Sequence, residues 1–208
     1  MKQIQPYFHV SEALSSLDNG GHFYNIFTEA GDGKISHAEL SKAGGAFNER
    51  QKMILFLELS ISRLGADAKA EVLAKFDEVL SANFLKYKAQ VLLPSEALEK
   101  GVIDANAIIT GVPVMVDSRA DFKGYVGVPV MVGKVWTIIP VPIVDHYDVY
   151  ELRDQRTSET FLIAHAKGSD KLPSEKIIVG GVLKELKKVE DEEVGSGMFL
   201  EVNYYLGH

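Results

Sequence analysis

The sequence predicts an α+β protein, an α-helical N-terminal region followed by a small five-stranded β-barrel. Three observations predict it. Between about residues 36 and 100, apolar residues recur at helical spacing in runs that end at glycine. After Gly101 valine, isoleucine, tyrosine, glycine and proline dominate, and apolar positions alternate with period two. From Lys123 onward, five such runs are separated by turn-forming residues. The expected organisation is a helical domain over 1–100, a linker or extra strand over 101–122, and the β-barrel over 123–208.

The helical elements follow from local chemistry. Ser36 with Glu39 three residues later is a capping box that starts a helix, and Gly44-Gly45 ends it. Asn48 is placed to cap a second helix running to about Arg63. That helix carries Met53, Ile54, Leu55, Phe56, Leu57, Leu59, Ile61 and Leu64, apolar nearly all round, so it is expected to be buried on several sides as a core helix or at a dimer face. Gly65 stops it. Asp67 is expected to cap a further helix through Val72, Leu73, Phe76, Val79, Leu80 and Phe84. Pro94-Ser95 begins a short helix that Gly101 ends.

In the second half, Gly111-Val-Pro-Val-Met-Val116 recurs as Gly127-Val-Pro-Val-Met-Val132. One repetition is too little for a solenoid and fits two similar strands, with the prolines at edges or bulges. The five expected strands are Tyr125–Ile138, Tyr147–Arg153, Thr160–Ala166, Lys176–Leu186 and Met198–Tyr205. Trp136, the only tryptophan, is expected in the core or at the barrel edge.

Phe23–Leu40 resembles one motif of the EF-hand family, through DGKIS followed by Glu39-Leu40. With Gly33 at the sixth loop position, the resemblance implies an ion site made by Thr28, Asp32, the Lys34 carbonyl, Ser36 and Glu39. Thr28 stands where the family has aspartate, and Ala30 offers no ligand, so only two carboxylates remain. The expectation is a metal-free turn or weakly bound calcium, and no other cofactor. The strand series, with VPVMVGKVW, YDVYELRD, ETFLIAHA and KIIVGGVLKEL, resembles the OB-fold over about 85 residues. That resemblance implies a binding face on strands two and three, where Tyr147, Arg153, Arg156, Phe161, His165 and Lys167 are the candidates.

Composition narrows the function. The 208 residues carry a net charge of −7, with 12 Lys/Arg against 15 Asp/Glu over 1–119 and 10 against 14 over 120–208. Neither half is basic, which disfavours non-specific nucleic-acid binding. There are no cysteines, excluding disulfides and thiolate chemistry and fitting a reducing, cytoplasmic location. No apolar run is long enough to span a bilayer, so no membrane partner is expected. Asp145-His146-x-Asp148 offers metal donors but lacks a distant fourth, and Lys184 to Glu193 reads as a solvated strand end and loop. No nucleophile–base pair stands out.

The expected function is a non-catalytic binding or adaptor role, with a protein or small ligand at the barrel face and the helices available for docking or homodimerisation. The alternatives are a weak calcium- or magnesium-responsive module and a single-stranded nucleic-acid binder using Tyr147, Arg153, Phe161 and His165.

Overall fold

The structure, a computed structural model, describes residues 1–19, 31–45, 49–116, 124–132, 135–157, 159–190 and 193–207. Among the described residues it is an α+β fold of seven helices and a mixed sheet of nine strands. The strands are β1 (Lys2–Gln3), β2 (Gln90–Leu92), β3 (Asn106–Met115), β4 (Gly124–Val132), β5 (Val135–Pro142), β6 (Tyr147–Arg153), β7 (Thr160–Ala166), β8 (Ile177–Glu190) and β9 (Glu193–Gly207). The helices are α1 (Val10–Leu17), α2 (His37–Gly44), α3 (Arg50–Ser60), α4 (Ala66–Leu73), α5 (Glu78–Tyr87), α6 (Pro94–Lys100) and α7 (Ile143–His146). No helix among them is long and apolar enough to cross a membrane. The chain divides into two compact units, one of Lys2–Gln90 with Tyr204–Leu206 and one essentially of Val91–Asn203.

In the helical unit, α2 starts at the Ser36 cap. Ser36 Oγ accepts the Glu39 N–H at 3.3 Å and Glu39 Oε2 accepts the Ser36 N–H at 2.9 Å. Gly45 ends the helix at φ +68°, a left-handed conformation that glycine adopts without penalty. Helix α3 is the core element, with Met53, Ile54, Leu55, Phe56, Leu57 and Leu59 all buried, as an all-round apolar helix requires. It starts after Glu49, which makes no side-chain cap, and ends at Ser60 rather than Arg63. Asn48 lies outside the described residues.

The single helix expected beyond Asp67 is two. The N-cap of α4 is Gly65, not Asp67, and a break at 74–77 separates α4 from α5. Tertiary pairing explains the break. The Ile35 N–H donates to the Lys75 carbonyl at 2.8 Å, and the Asp77 N–H donates to the Ile35 carbonyl at 3.1 Å. Asp77 then starts α5 by accepting the Leu80 N–H at 2.6 Å.

In the strand unit the pairing runs β9-β7-β6-β3-β8-β4-β5, and β9 also pairs with β8. Pairs β3–β6, β3–β8 and β6–β7 are antiparallel, whereas β7–β9 is parallel. The long strand β3 serves two neighbours. Asn106 to Gly111 pair with β8, and Val112 to Met115 pair with β6. Gly111 sits at the handover, where a Cβ would lie 2.7 Å from the Arg153 carbonyl oxygen. One face of these strands buries Ile109, Leu152, Phe161, Ile163, Ile177, Val179 and Leu200.

One expectation fails in this unit. Tyr125–Ile138 is not one long strand, because β4 and β5 pair antiparallel from Val132↔Val135 to Tyr125↔Pro142. The run is a hairpin, and only Gly124 and Tyr125 of β4 reach β8. The strand between β6 and β8 comes instead from the segment expected to be linker or extra strand, and it carries the first copy of GVPVM. Of the two places expected for Trp136, the core and the barrel edge, the core is ruled out. Trp136 stands on the edge strand β5 and is 65% exposed.

Candidate functional site

The six candidate binding residues do not share one surface. In β6 and β7 directly opposed residues share a face, and the register pairs Arg153 with Thr160, Leu152 with Phe161, Asp148 with His165 and Tyr147 with Ala166. Tyr147 and Arg153 therefore lie on one face and Phe161 and His165 on the other. Both Phe161 and His165 are buried. His165 stacks on Tyr150 with ring centroids 5.6 Å apart, and its Nδ1 lies 3.1 Å from the Ala166 carbonyl oxygen. Arg153, Arg156 and Lys167 are exposed. The Arg156 N–H donates to Asp154 Oδ1 at 2.8 Å, an Asx turn that shapes the β6–β7 connection.

Among the candidates Phe161 lines a small cavity of about 140 Å³ with Leu98 and Met198, and Tyr147 lines a larger one. The larger is a cleft of about 560 Å³ beside Tyr147. Val126, Gly127 and Ile138 of the hairpin, Lys184, Glu185 and Lys187 of β8, Phe199 and Glu201 of β9, and Ile103 and Asp104 complete its lining. The floor is continuous with a core cluster in which Ile143, Val149, Ala164, Leu186 and Phe199 are buried and Tyr147 and Val126 pack against them. Tyr147 meets Phe199 edge to face, centroids 5.8 Å apart, which fixes its ring.

The polar groups of the cleft are organised. Tyr147 donates its hydroxyl to Glu201 Oε1 at 3.3 Å. Burial first, and then the Glu201 carboxylate, push the phenol up to about 12, so it remains a hydrogen-bond donor at neutral pH. Lys184 Nζ sits 2.8 Å from Asp104 Oδ1. Asp104 has φ +64°, the only left-handed backbone on a non-glycine among the described residues, and its N–H donates to the Leu183 carbonyl at 2.7 Å. Sequence reading missed Lys184, Lys187, Glu201 and Asp104. They are separated along the chain, and the lysines sat in a stretch that reads as solvated charge. Only strand pairing brings them together, of β8 with β3 and β4 and of β9 with β7 and β8.

The EF-hand-like stretch is described from Gly31, so Thr28 lies outside the described residues. In the described part, protein groups occupy the turn. Asp18 Oδ1 accepts the Gly31 N–H at 3.1 Å, Asp18 Oδ2 accepts the Gly33 N–H at 3.0 Å, and Asp32 Oδ1 accepts the Lys34 N–H at 2.8 Å. Gly31 and Gly33 both have φ +82°. Ser36 is committed to the helix cap, and its Oγ also donates to Glu39 Oε2 at 2.8 Å. Burial, with smaller contributions from Asp18 and Asp32, raises the Glu39 carboxyl above the usual range. Among the described residues no group of three or more His, Asp or Glu side chains is arranged to hold a metal ion, Asp145, His146 and Asp148 included.

No protein-family model matches the chain, and no curated protein matches it.

Proposed function

We propose that this chain is a non-catalytic binding protein whose strand unit is an OB-like barrel and whose ligand lies in the cleft beside Tyr147. The barrel reading rests on the pairings. Strands β3, β6, β7, β9 and β8 each pair with the next, and β8 returns to β3, with β7–β9 the parallel step. In this reading β4–β5 is an insertion between the first and second barrel strands, the position from which OB-folds approach ligands.

The cleft carries the functional reading. Its volume falls within the range of small-molecule sites, and it combines an apolar floor with a few convergent polar groups. The ligand class that fits is a small molecule with an apolar body, its polar ends meeting Lys187, Glu201 and the Tyr147–Glu201 pair. The left-handed Asp104 at the cleft supports the reading, since unusual backbone clusters at binding sites. A thermal-shift screen of small molecules, followed by titration of the hits, tests it. Hits should raise the unfolding midpoint of the native chain by mass action and lose about tenfold or more in affinity in a Lys187→Ala, Glu201→Gln double variant. Hits that bind the double variant undiminished would place the site elsewhere.

A second reading, a weak calcium- or magnesium-responsive module at Thr28, Asp32, the Lys34 carbonyl, Ser36 and Glu39, is supported by one observation. Glu39 Oε1 is buried and has no hydrogen-bond partner among the described residues. A midpoint raised by millimolar calcium over EDTA, and lost in Glu39→Gln, supports this reading. An unchanged calcium response in Glu39→Gln removes it.

A further inference from the structure

The charges around the Tyr147 cleft point to the sign of its ligand. Three carboxylates line it, Asp104, Glu185 and Glu201, against two ammonium groups, Lys184 and Lys187. Asp104 and Lys184 offset each other, with Lys184 Nζ 2.8 Å from Asp104 Oδ1. Of the rest, Glu185 and Lys187 are exposed, whereas Glu201 is half-buried. Water and salt screen the exposed groups, so the half-buried carboxylate dominates the field inside the cleft.

Glu201 is firmly placed. It pairs with Ala164 of β7, and Gly181 of β8 offers no Cβ where the Glu201 carbonyl oxygen comes close. Strand alternation puts its side chain on the same face of β9 as Phe199. Its carboxylate is nonetheless little used. It accepts the Tyr147 hydroxyl on Oε1 at 3.3 Å, a long bond for an O–H donor. Among the described residues no lysine, arginine or histidine forms an ion pair with it. A carboxylate has about four acceptor sites, so most of this one's capacity is open to a ligand.

The neighbouring walls are aromatic and aliphatic. Tyr147 and Phe199 stand edge to face beside the carboxylate, and Val126 and Ile138 also line the cleft. Aromatic faces attract cations, more strongly where water is displaced. An anionic ligand would meet Glu185 and Glu201 while Lys184 is already engaged by Asp104. A bare metal ion finds no group of three ligating side chains among the described residues.

We infer, on the reading that the cleft is the ligand site, that it binds a small organic ammonium. The charged nitrogen donates to Glu201 beside the Tyr147 ring, and the apolar body packs on Phe199, Val126 and Ile138. The charge-assisted hydrogen bond and the cation–π contact together favour the ammonium over a neutral analogue by about tenfold.

Three probes of similar shape and different charge test this on the full chain at neutral pH: phenethylamine, phenethyl alcohol and hydrocinnamate. Ligand-observed NMR titration should give the amine a Kd on the order of 1 mM, as a probe of this size permits, and the alcohol and the acid at least about fivefold weaker binding. Glu201→Gln keeps the shape of the side chain and should weaken the amine about tenfold while leaving the alcohol unchanged. Unchanged circular dichroism and unfolding midpoint would show that the variant is folded, and the ranking of the three probes on the native chain needs no variant. Alcohol or acid binding as tightly as the amine would overturn the ammonium assignment, as would an amine that binds Glu201→Gln undiminished or no amine binding up to about 10 mM. The cleft itself would survive each of these outcomes if hits from the small-molecule screen are still lost in the Lys187→Ala, Glu201→Gln double variant. Hits that bind the double variant undiminished would remove the cleft and the ammonium together.

Discussion

The two copies of GVPVMV share six residues and little else. In the first copy Gly111 is buried at the handover of β3 between two neighbours, and Pro113 lies opposite the buried Leu152. In the second copy Gly127 is exposed and Pro129 lies opposite Ile138, itself 70% exposed. The local propensities are identical and both copies are strands. What differs is the partner strand. Val112–Met115 of the first copy pair with β6, an interior strand that pairs onward with β7, whereas the second copy pairs with β5, the edge strand of the sheet. The same apolar pattern buries Gly111 and Pro113 in one place and leaves Gly127 and Met131 exposed in the other.

The largest expected effect comes from the layer beneath the first copy. Phe161 lies opposite Leu152, which lies opposite Pro113, and it is 1% exposed. Phe161→Ala should cost about 3–5 kcal/mol in urea unfolding. A cost under about 1 kcal/mol would mean that this face is not the core.

The glycines sharpen the comparison. A Cβ at Gly111 would meet the Arg153 carbonyl at 2.7 Å and Leu152 Cγ at 2.8 Å, and the backbone cannot move aside without breaking the strand pairing. Gly111→Ala should destabilise by about 2–4 kcal/mol. At Gly127 the one close atom among the described residues is Ile138 Cγ2 at 2.8 Å, on a side chain that is 70% exposed and has room to shift. Gly127→Ala should cost less than about 1 kcal/mol. Equal costs for the two substitutions would break the comparison.

A similar contrast of environment acts on charge in the helical unit. Glu58 accepts the Ala89 N–H at 2.8 Å on the mostly buried helix α3. Burial raises its carboxyl from 4.5 to about 7, against the opposing pull of that hydrogen bond and Lys88. The folded pKa lies above the unfolded one, so the stability Glu58 contributes is fully present below pH 4.5 and is lost as pH rises through about 7. The loss is at most about 3 kcal/mol, less to the extent that water reaches the group. Relative to the native chain, Glu58→Gln should gain stability at pH 8 and show little change at pH 4. A larger gain at pH 4 than at pH 8 would reverse the sign and sink the assignment.

The smallest effect is expected on the hairpin. Ile138→Ala in dilute solution should change unfolding by less than about 0.5 kcal/mol, because little of that side chain leaves water within one chain.

Much of the fold was legible. The Ser36–Glu39 capping box, the stop at Gly45, the all-round apolar α3, the helix between Pro94 and Gly101 and the spans of β6 and β7 are written in short-range chemistry. The failures were non-local. Residues 67–84 carry a continuous helical period, but the pairing of Ile35 with the 75–77 segment interrupts it. The candidate site was less legible. Tyr147 was found, while Lys184, Lys187, Glu201 and Asp104 converge only through strand pairing. Phe161 and His165 were the right chemistry on the wrong face, since in a strand a shift of one residue exchanges inside for outside.

By itself, the sequence determined the α+β class, the helix caps and stops, and the strand character of both GVPVMV copies, because these depend on neighbours within a few residues. Only the tertiary structure decided which copy joins β6 and β8, that Trp136 faces water, and which polar groups meet at the cleft. Those outcomes depend on strand partners tens of residues away, and a pleated strand carries no local mark of which partner it will find.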